Sequence, residues 1–499
     1  MQEDHPDATA VFLLNYGSME MFDDGTQVYK HTVRCKILNE RGYYLARKSI
    51  SYREGYSRVK ILYANTIRPD GTTVPLREED IIDSAAYSQY EEYTDIKEKK
   101  FTMAAIEPGC IVEYAYEVKH TKPFLLHDYY TRFALREFFP VKEKVMEIIL
   151  PNGRQLHMAN FKTDIKPTVE EYGGKTKYTF RSENSPEIIP EPNMPRPTDK
   201  DVFPQVHCWT LSCWNVISKW YAGLVKEQMQ SDEALDDFTR KLTAGKTTDE
   251  DKIRAIFDFV AREVRDLPVE ISPHPLSPHP ARDVLKKKYG DCKDKTTLLL
   301  TMLKTVGIEG RPALVPKDSD ALDEAAPSMG YFNHVIAVVP KKDGTFYWLD
   351  STNKVAVIDS VPFLVPTRVL QINEDGSYQF VKTPDLEDSR DYTDLMQRVH
   401  VKESGDAVVE YIYSSYGKCA EAERNKFRNL SPRAREQHFE AKGIELQQLE
   451  ILNLDELESP FVVKVRGLMR NEIHKVDDNE MILSGAAMIR DYDELTAVK

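Results

Sequence analysis

The sequence lacks several features that would define its class at once. Six cysteines in 499 residues are too few for a disulfide framework, so each cysteine must be judged by its own surroundings. Basic residues number 67 against 81 acidic ones, and the net charge of −14 disfavours a nucleic-acid-binding protein, whose affinity comes from a basic surface. The absence of any apolar run of about 18 residues excludes a membrane-spanning helix. The hydrophobic share of 41% excludes a wholly disordered chain.

The first 185 or so residues have the pattern of an antiparallel β-sandwich or barrel. Apolar and polar side chains alternate at residues 29–37 and 59–63, the period of strands with one buried face. Turn signals such as Pro-Asp-Gly at residues 69–71 separate these short strands. We expect the many tyrosines here to be packed sheet residues, and we find no catalytic constellation in this part.

Beyond this β-rich part, the pattern changes twice. Six prolines at residues 186–204 indicate an extended connector or a domain boundary, because proline blocks helix and ladder hydrogen bonds. Helical periods follow, first at residues 209–229, and alternating strands return near the C-terminus around a helical insertion at residues 418–443. We therefore predict a multidomain α+β chain with three parts: an N-terminal β-sandwich domain with its linker at residues 1–200, a central core at residues 201–372 and a C-terminal β-rich domain at residues 373–499.

One segment of the central part has the clearest chemical signal. The apolar stripe at residues 298–306 has helical spacing and extends back to Cys292, which predicts that Cys292 lies in the first turn of a helix. Gly290 and Asp291 supply a tight turn and an N-cap. A helix N-terminus favours a thiolate over a thiol, and residues 282–295 add six basic side chains against three acidic ones.

A base and an orienting acid are expected close to this cysteine. The sequence from residue 331 to residue 350 predicts two strands joined by a tight turn. With the turn centred near Lys342, facing residues have numbers that sum to 684 or 685, which places His334 opposite Asp350 or Ser351. A slip of one residue would turn the carboxylate to the other face.

Together, these residues predict a nucleophile, a base and an orienter in the order Cys292, His334, Asp350. The backbone N–H of Cys292 is a candidate oxyanion donor, because it lies at the helix start. A weaker hypothesis is a metal site made of Cys292, His334 and a nearby carboxylate. His274 and His279 are also candidate metal ligands, but no thiolate pair accompanies them, so a rigid loop beside the cleft is the favoured interpretation. We predict no metal and no cofactor.

Three motifs in this region resemble the transglutaminase-like superfamily, with its papain-like core. They are Tyr-Gly-Asp-Cys-Lys-Asp-Lys at residues 289–295, Asn-His-Val at residues 333–335 and Trp-Leu-Asp-Ser-Thr at residues 348–352. The resemblance covers roughly residues 209–369. One departure is Arg-Asp-Leu at residues 265–267, where relatives often have an aromatic residue, so we assign no side-chain oxyanion donor.

The resemblance implies that Cys292 is the nucleophile, His334 the base and Asp350 the third member of a catalytic triad. Such an enzyme acts on amide bonds of proteins or peptides through a thioester. Resolution by water gives a cysteine protease or amidase, and resolution by an amine gives a transglutaminase-type acyltransferase. The alternative is an inactive module of the same fold that binds peptide or cell-wall material.

The flanking parts also resemble known domains. Residues 1 to about 200 resemble an uncharacterised β-sandwich domain that often precedes this core in bacterial envelope proteins, for example at Asp7-Ala8 and at residues 108–114. The last 125 or so residues resemble the β domain that follows it. The first six residues lack the regions of a signal peptide. The resemblance therefore implies a periplasmic or secreted protein whose export signal has been removed, with a cytoplasmic location as the alternative.

Overall fold

The computed structural model describes residues 8–86, 95–123, 125–192, 194–267, 276–316, 322–360, 367–384, 390–470, 473–475 and 481–483. Within these residues the chain is multidomain, with a large N-terminal β part, a central α+β part and a C-terminal β part. The predicted fold class is therefore confirmed, whereas the exact boundaries at residues 200 and 372 stay a prediction. None of the helices in the described residues combines the length and the apolar character needed to span a membrane.

The N-terminal part is made of strands. These are β1 (Ala10–Met21), β2 (Gln27–Ile37), β3 (Arg47–Arg53), β4 (Ser57–Ile67), β5 (Thr73–Pro75), β6 (Ile82–Ala85), β7 (Ile96–Thr102), β8 (Ile111–His120), β9 (Tyr130–Ala134), β10 (Val141–Pro151), β11 (His157–Phe161), β12 (Thr168–Tyr172), β13 (Lys175–Ser185) and β14 (Gln205–Trp209). Eight of them form one sheet in the order β12-β13-β10-β1-β2-β8-β4-β5, antiparallel except for the pair β1 and β10.

Two smaller sheets pack against the large one and complete the sandwich. The sheet β3-β7-β6 contributes Ile50 and Phe101 to a core shared with Val33 of β2, and the sheet β11-β14-β9 contributes Phe133 to a core shared with Ile148 of β10. On β2, the residues Val33, Cys35 and Ile37 are buried while Arg34 is exposed, which is the predicted period of two.

The predicted helix at residues 209–229 begins five residues later than its sequence pattern indicates. Trp209 ends β14, and the helix α1 runs from Trp214 to Gln228. All five residues of β14 are buried, because the strand pairs with β9 on one side and β11 on the other. A short apolar run of this kind has no periodicity that distinguishes a strand from a helix, so the sheet pairing decides.

The central part consists of helices, a five-stranded antiparallel sheet and one short parallel pair of strands. Its elements are α1 (Trp214–Gln228), α2 (Glu233–Leu242), α3 (Asp249–Glu263), β15 (Arg265–Asp266), α4 (Ala281–Lys287), β16 (Tyr289–Gly290), α5 (Cys292–Thr305), β17 (Arg311–Pro316), β18 (Phe332–Pro340), β19 (Phe346–Leu349), β20 (Arg368–Ile372) and β21 (Tyr378–Lys382). The sheet has the order β19-β18-β17-β20-β21. Leu299 and Leu303 of α5 are fully buried in the core, together with Phe257 of α3.

The C-terminal part returns to β structure, as predicted. Its elements are β22 (Thr393–Val401), β23 (Ala407–Ser415), α6 (Gly417–Arg428), α7 (Pro432–Glu440), β24 (Glu445–Leu452), β25 (Phe461–Met469), β26 (Ile473–Lys475) and β27 (Met481–Leu483). The sheet order is β22-β23-β25-β24. The helices α6 and α7 form the predicted insertion, and Phe427 and Phe439 pack them into the core of this sheet.

Candidate active site

Cys292 is the first residue of α5, as its sequence pattern predicts. The side chain of Asp291 caps the helix, accepting hydrogen bonds from the backbone N–H groups of Lys293 at 3.1 Å and Asp294 at 3.3 Å. The Asp294 carboxylate accepts in return from the backbone N–H of Asp291 at 3.4 Å. This capping box fixes the helix start and leaves the Cys292 thiol partly exposed.

The structure brings His334 and Asp350 together. His334 lies on β18, Asp350 directly follows β19, and Oδ2 of Asp350 lies 2.8 Å from Nε2 of His334. Asp350 is buried, and its other oxygen accepts hydrogen bonds from the backbone N–H and the hydroxyl of Thr352 at 3.0 and 2.6 Å. The carboxylate is therefore held on both sides.

The register of this hairpin differs from the predicted one. The facing pair Val338 and Trp348 sums to 686, against the predicted 684 or 685. The reason is the turn: Gly344 adopts a φ of +86°, so the loop is centred on residue 343 rather than on Lys342. The residue numbers of His334 and Asp350 sum to 684, two less than those of a facing pair. The two residues are therefore diagonal neighbours on the same face, close enough for their side chains to meet.

The charges around His334 favour its protonated form. Burial lowers the pKa of His334, but hydrogen bonds and charge interactions with Asp350 and Cys292 outweigh that effect and raise the pKa to about 10. Burial also raises the pKa of Asp350, yet the His334 and Thr352 hydrogen bonds hold it below its usual value. His334 thus contacts Asp350 through Nε2 and also forms a hydrogen bond with the Cys292 side chain. The three predicted residues thus form one contiguous group.

His279 belongs to the same neighbourhood through a second His–Asp pair. Its backbone N–H donates to Asp294 of α5 at 2.8 Å, and its Nδ1 lies 3.1 Å from both carboxylate oxygens. The Asp294 hydrogen bond raises the pKa of His279 above its usual value. These hydrogen bonds attach the loop before α4 to α5, the helix that begins with Cys292. His274 lies outside the described residues, within which no group of three or more His, Cys, Asp or Glu side chains is placed to hold a metal.

The basic residues beside Cys292 include two that are buried, which the sequence pattern did not reveal. Lys293 pairs with Asp291, and Lys295 donates from Nζ to the backbone carbonyl of Val264 at 2.7 Å. Burial lowers the pKa of Lys295 to about 8, against the opposing charges of Asp266 and Asp350. Lys295 therefore anchors the end of α3 to the helix that begins with Cys292.

A cavity of about 850 Å³ contains Cys292 and His334, and the N-terminal part supplies much of its wall. The lining from the N-terminal part includes Tyr52, Arg53, Tyr56, Lys122 and Asp128. Other tyrosines of that part, such as Tyr114 and Tyr116, are packed sheet residues with ring centroids 6.4 Å apart, as expected. The contribution of the first domain to this cavity was not apparent from the sequence.

Two family models match successive parts of the chain. Residues 23–189 match a domain of unknown function, DUF3857, and residues 236–349 match the transglutaminase-like superfamily. The second match supports an enzyme of the transglutaminase-like kind, and it includes Cys292 and His334. No curated protein matches the chain significantly.

Solved structures extend the likeness to nearly the whole fold. A structure from Parabacteroides distasonis, described as a candidate protease, has a TM-score of 0.61 at 14% identity, and the match covers 93% of this chain and 94% of that chain. A candidate cysteine protease from Cytophaga hutchinsonii has 11% identity and a TM-score of 0.20, over 45% of this chain and 75% of that chain, which is too low to support an argument. The first likeness concerns the fold alone. By the family models, residues 236–349 correspond to a transglutaminase-like core and residues 23–189, before it, to a DUF3857 domain.

Proposed function

We propose that the chain is a cysteine enzyme that cleaves or transfers amide bonds of proteins or peptides, with Cys292 as nucleophile. The Cys292 thiolate attacks the amide carbonyl carbon, and the backbone N–H of Cys292 is a candidate donor to the oxyanion. The imidazolium of His334 then gives its proton to the leaving amine as the C–N bond breaks and the thioester forms. Asp350 holds the ring in position and stabilises its charge.

The second half of the reaction decides the enzyme class. Water, deprotonated by His334, converts the thioester into a carboxylic acid and restores the thiol, which is the reaction of a protease or amidase. A primary amine, deprotonated in the same way, forms a new amide, which is transglutamination. Both outcomes use the same residues up to the thioester, so the proposal includes both.

The observation that supports this proposal best is the 2.8 Å contact between His334 and Asp350 beside a thiol at a helix start. A histidine with only a structural role would not need contacts with both a buried carboxylate and a cysteine at a helix start. The 850 Å³ cavity around Cys292 is also within the range of volumes that hold small-molecule or peptide groups.

Alkylation by iodoacetamide near pH 6 tests the activation of the thiol. Cys213 is an internal reference, since it is exposed whereas Cys292 is only partly so. We expect Cys292 to be alkylated faster than Cys213, because a thiolate reacts and a thiol does not. His334→Gln should remove the difference. Equal rates at the two cysteines in the unaltered chain would contradict the proposal.

Trapping of the acyl-enzyme distinguishes an enzyme from an inactive binding module. Incubation with peptide mixtures and mass spectrometry of the intact chain should reveal a covalent adduct on Cys292 that is absent from Cys292→Ala. A Cys292→Ala variant that retains full biological function would favour the binding module instead.

A periplasmic or secreted location is part of the proposal. Its support is the resemblance of the flanking domains to those of bacterial envelope proteins. Fractionation of cells that produce the protein from its natural gene should place it in the periplasm or the medium. Recovery with cytoplasmic markers would contradict this location.

A further inference from the structure

Asp128 connects the N-terminal part to the strand that contains His334. It lies between β8 and β9 and lines the cavity that contains Cys292. Its Oδ2 accepts a hydrogen bond from the backbone N–H of Met329 at 2.9 Å, and the Ser328 side chain bonds to the same carboxylate. These two residues directly precede the segment that leads into β18. One side of the carboxylate is therefore fixed by the central part.

The other oxygen of Asp128 has no such partner. Oδ1 is buried, and no donor among the described residues forms a hydrogen bond with it. A buried acceptor without a donor destabilises a protein, so native structures retain such groups mainly where they serve a purpose. The preceding residue, His127, adopts a left-handed φ of +62°, a conformation that is uncommon outside glycine.

The remaining charges on the cavity wall have partners. Asp291 pairs with Lys293, and Arg53 pairs with Asp95 at 2.5 Å. The ammonium group of Lys122 lies over the ring of Tyr56, 5.3 Å from its centroid. Among the described residues of this wall, Asp128 is thus the acidic group without a cationic partner.

We infer that Asp128 determines specificity by binding a primary ammonium group of the substrate through Oδ1, inside the cavity that contains Cys292. The inference rests on the proposed function, and it adds the substrate class: amides that carry a free amino group near the acyl carbon. A charged N–H donor is the partner that a buried carboxylate oxygen binds most strongly. The N-terminal part would then select the substrate, while the central part performs the chemistry.

Methanethiosulfonates of different charge test this inference without knowledge of the substrate. The Cys292 thiolate attacks the reagent's sulfur, forms a mixed disulfide and releases methanesulfinate. The probes are aminoalkyl (cationic, with two- and six-carbon arms), methyl (neutral) and sulfonatoethyl (anionic) reagents, used on the full chain and read by peptide mass spectrometry. We expect at least one cationic reagent to modify Cys292 about tenfold faster than the methyl reagent, after correction for their rates with free cysteine.

Two variants assign the effect to Asp128. Asp128→Asn keeps an acceptor for the Met329 N–H but loses the charge, so it should abolish the cationic preference, measured as the ratio of the cationic rate to the methyl rate. Asp237→Asn removes one negative charge from an exposed side chain of α2 and should preserve the preference. Thermal unfolding shows whether each variant is folded.

The outcomes also separate this inference from the proposed function. Equal corrected rates for cationic and neutral reagents, faster modification by the anionic reagent, or a preference that survives in Asp128→Asn would each overturn the role of Asp128. The comparison in the unaltered chain needs no variant, so it is decisive even if Asp128→Asn does not fold. Slow alkylation of Cys292 by neutral iodoacetamide would instead count against the proposed function, whatever the charge preference.

Discussion

The carboxylate of Glu421 accepts a hydrogen bond from the side chain of Asn353. Glu421 lies on α6 of the C-terminal part, and Asn353 lies three residues after Asp350. The same carboxylate accepts from the hydroxyl of Ser360, and burial raises its pKa. The C-terminal part is thereby attached to the loop that follows the acid of the predicted triad.

Removal of this attachment should affect both stability and the site. Glu421→Ala leaves the Asn353 amide and the buried Ser360 hydroxyl without this acceptor, so we expect a loss of about 1–3 kcal/mol in the free energy of unfolding. We also expect slower iodoacetamide alkylation of Cys292, since Asp350 is held less firmly. Glu436→Ala, on an exposed face of α7, should change stability by less than about 0.5 kcal/mol. An equal effect of the two variants would show that the Glu421 contact has no structural role.

Gly290 allows Asp294 to reach back over the start of α5. A Cβ atom at position 290 would lie 2.6 Å from Cβ of Asp294, closer than packed atoms allow. Gly290→Ala should therefore destabilise the fold by about 1–3 kcal/mol, as overpacking does. Gly223→Ala is the matched control, because its Cβ meets nothing within 4 Å in the middle of α1, and alanine should stabilise that helix by up to about 1 kcal/mol. Chemical denaturation measures both, and a neutral Gly290→Ala would contradict the close approach.

Asp350→Asn tests the orienting role of the carboxylate. Asparagine keeps the size of the side chain but removes the charge that raises the pKa of His334. Alkylation of Cys292 near pH 6 should slow by at least about tenfold, the equivalent of one pKa unit at His334. Turnover, once a substrate is known, should fall by up to about 10⁴-fold, the loss seen when the acid of a catalytic triad is neutralised.

Asp359→Asn is the control for this hairpin. Asp359 accepts a hydrogen bond from the backbone N–H of Trp348 at 2.9 Å and adopts a φ of +66°, a conformation that asparagine tolerates well. Its replacement should leave the alkylation rate unchanged. Similar losses in both variants would indicate general disturbance of the hairpin rather than loss of an orienting charge.

Spacing along the chain was sufficient to predict which residues meet in the central part. A helical stripe identified Cys292 as a first-turn residue, and a tight turn brought His334 to Asp350, because both patterns are local. The exact register was wrong, since it depends on the left-handed conformation of Gly344, which places the centre of the loop at residue 343.

Contacts between segments far apart in the sequence could not be predicted from local spacing. The alternation of a strand tells which face is buried but not which domain covers the other face, so the place of Asp128 in the Cys292 cavity could not be foreseen. The count of basic residues near Cys292 likewise did not show which of them are buried. Lys295 is buried, and the carbonyl of Val264 at the end of α3 satisfies its ammonium group.

The pH dependence of stability gives a further test of the charges around His334. Its pKa in the folded protein is about 10, above the value of about 6.5 expected in the unfolded chain. The proton is therefore bound more tightly in the folded state. The stabilisation is complete below about pH 6.5, and it is lost as the pH rises through about 10. His334→Gln should consequently lower the free energy of unfolding by more at pH 6 than at pH 10, by at least about 1.4 kcal/mol, the value of one pKa unit.

Urea denaturation at the two pH values measures this difference. His400→Gln, on an exposed position of β22, is the control for the loss of a histidine side chain and should change the free energy of unfolding by less than about 0.5 kcal/mol. If the His334→Gln deficit is the same at both pH values, the ring is not paired with Asp350 and Cys292 in solution as it is in the structure.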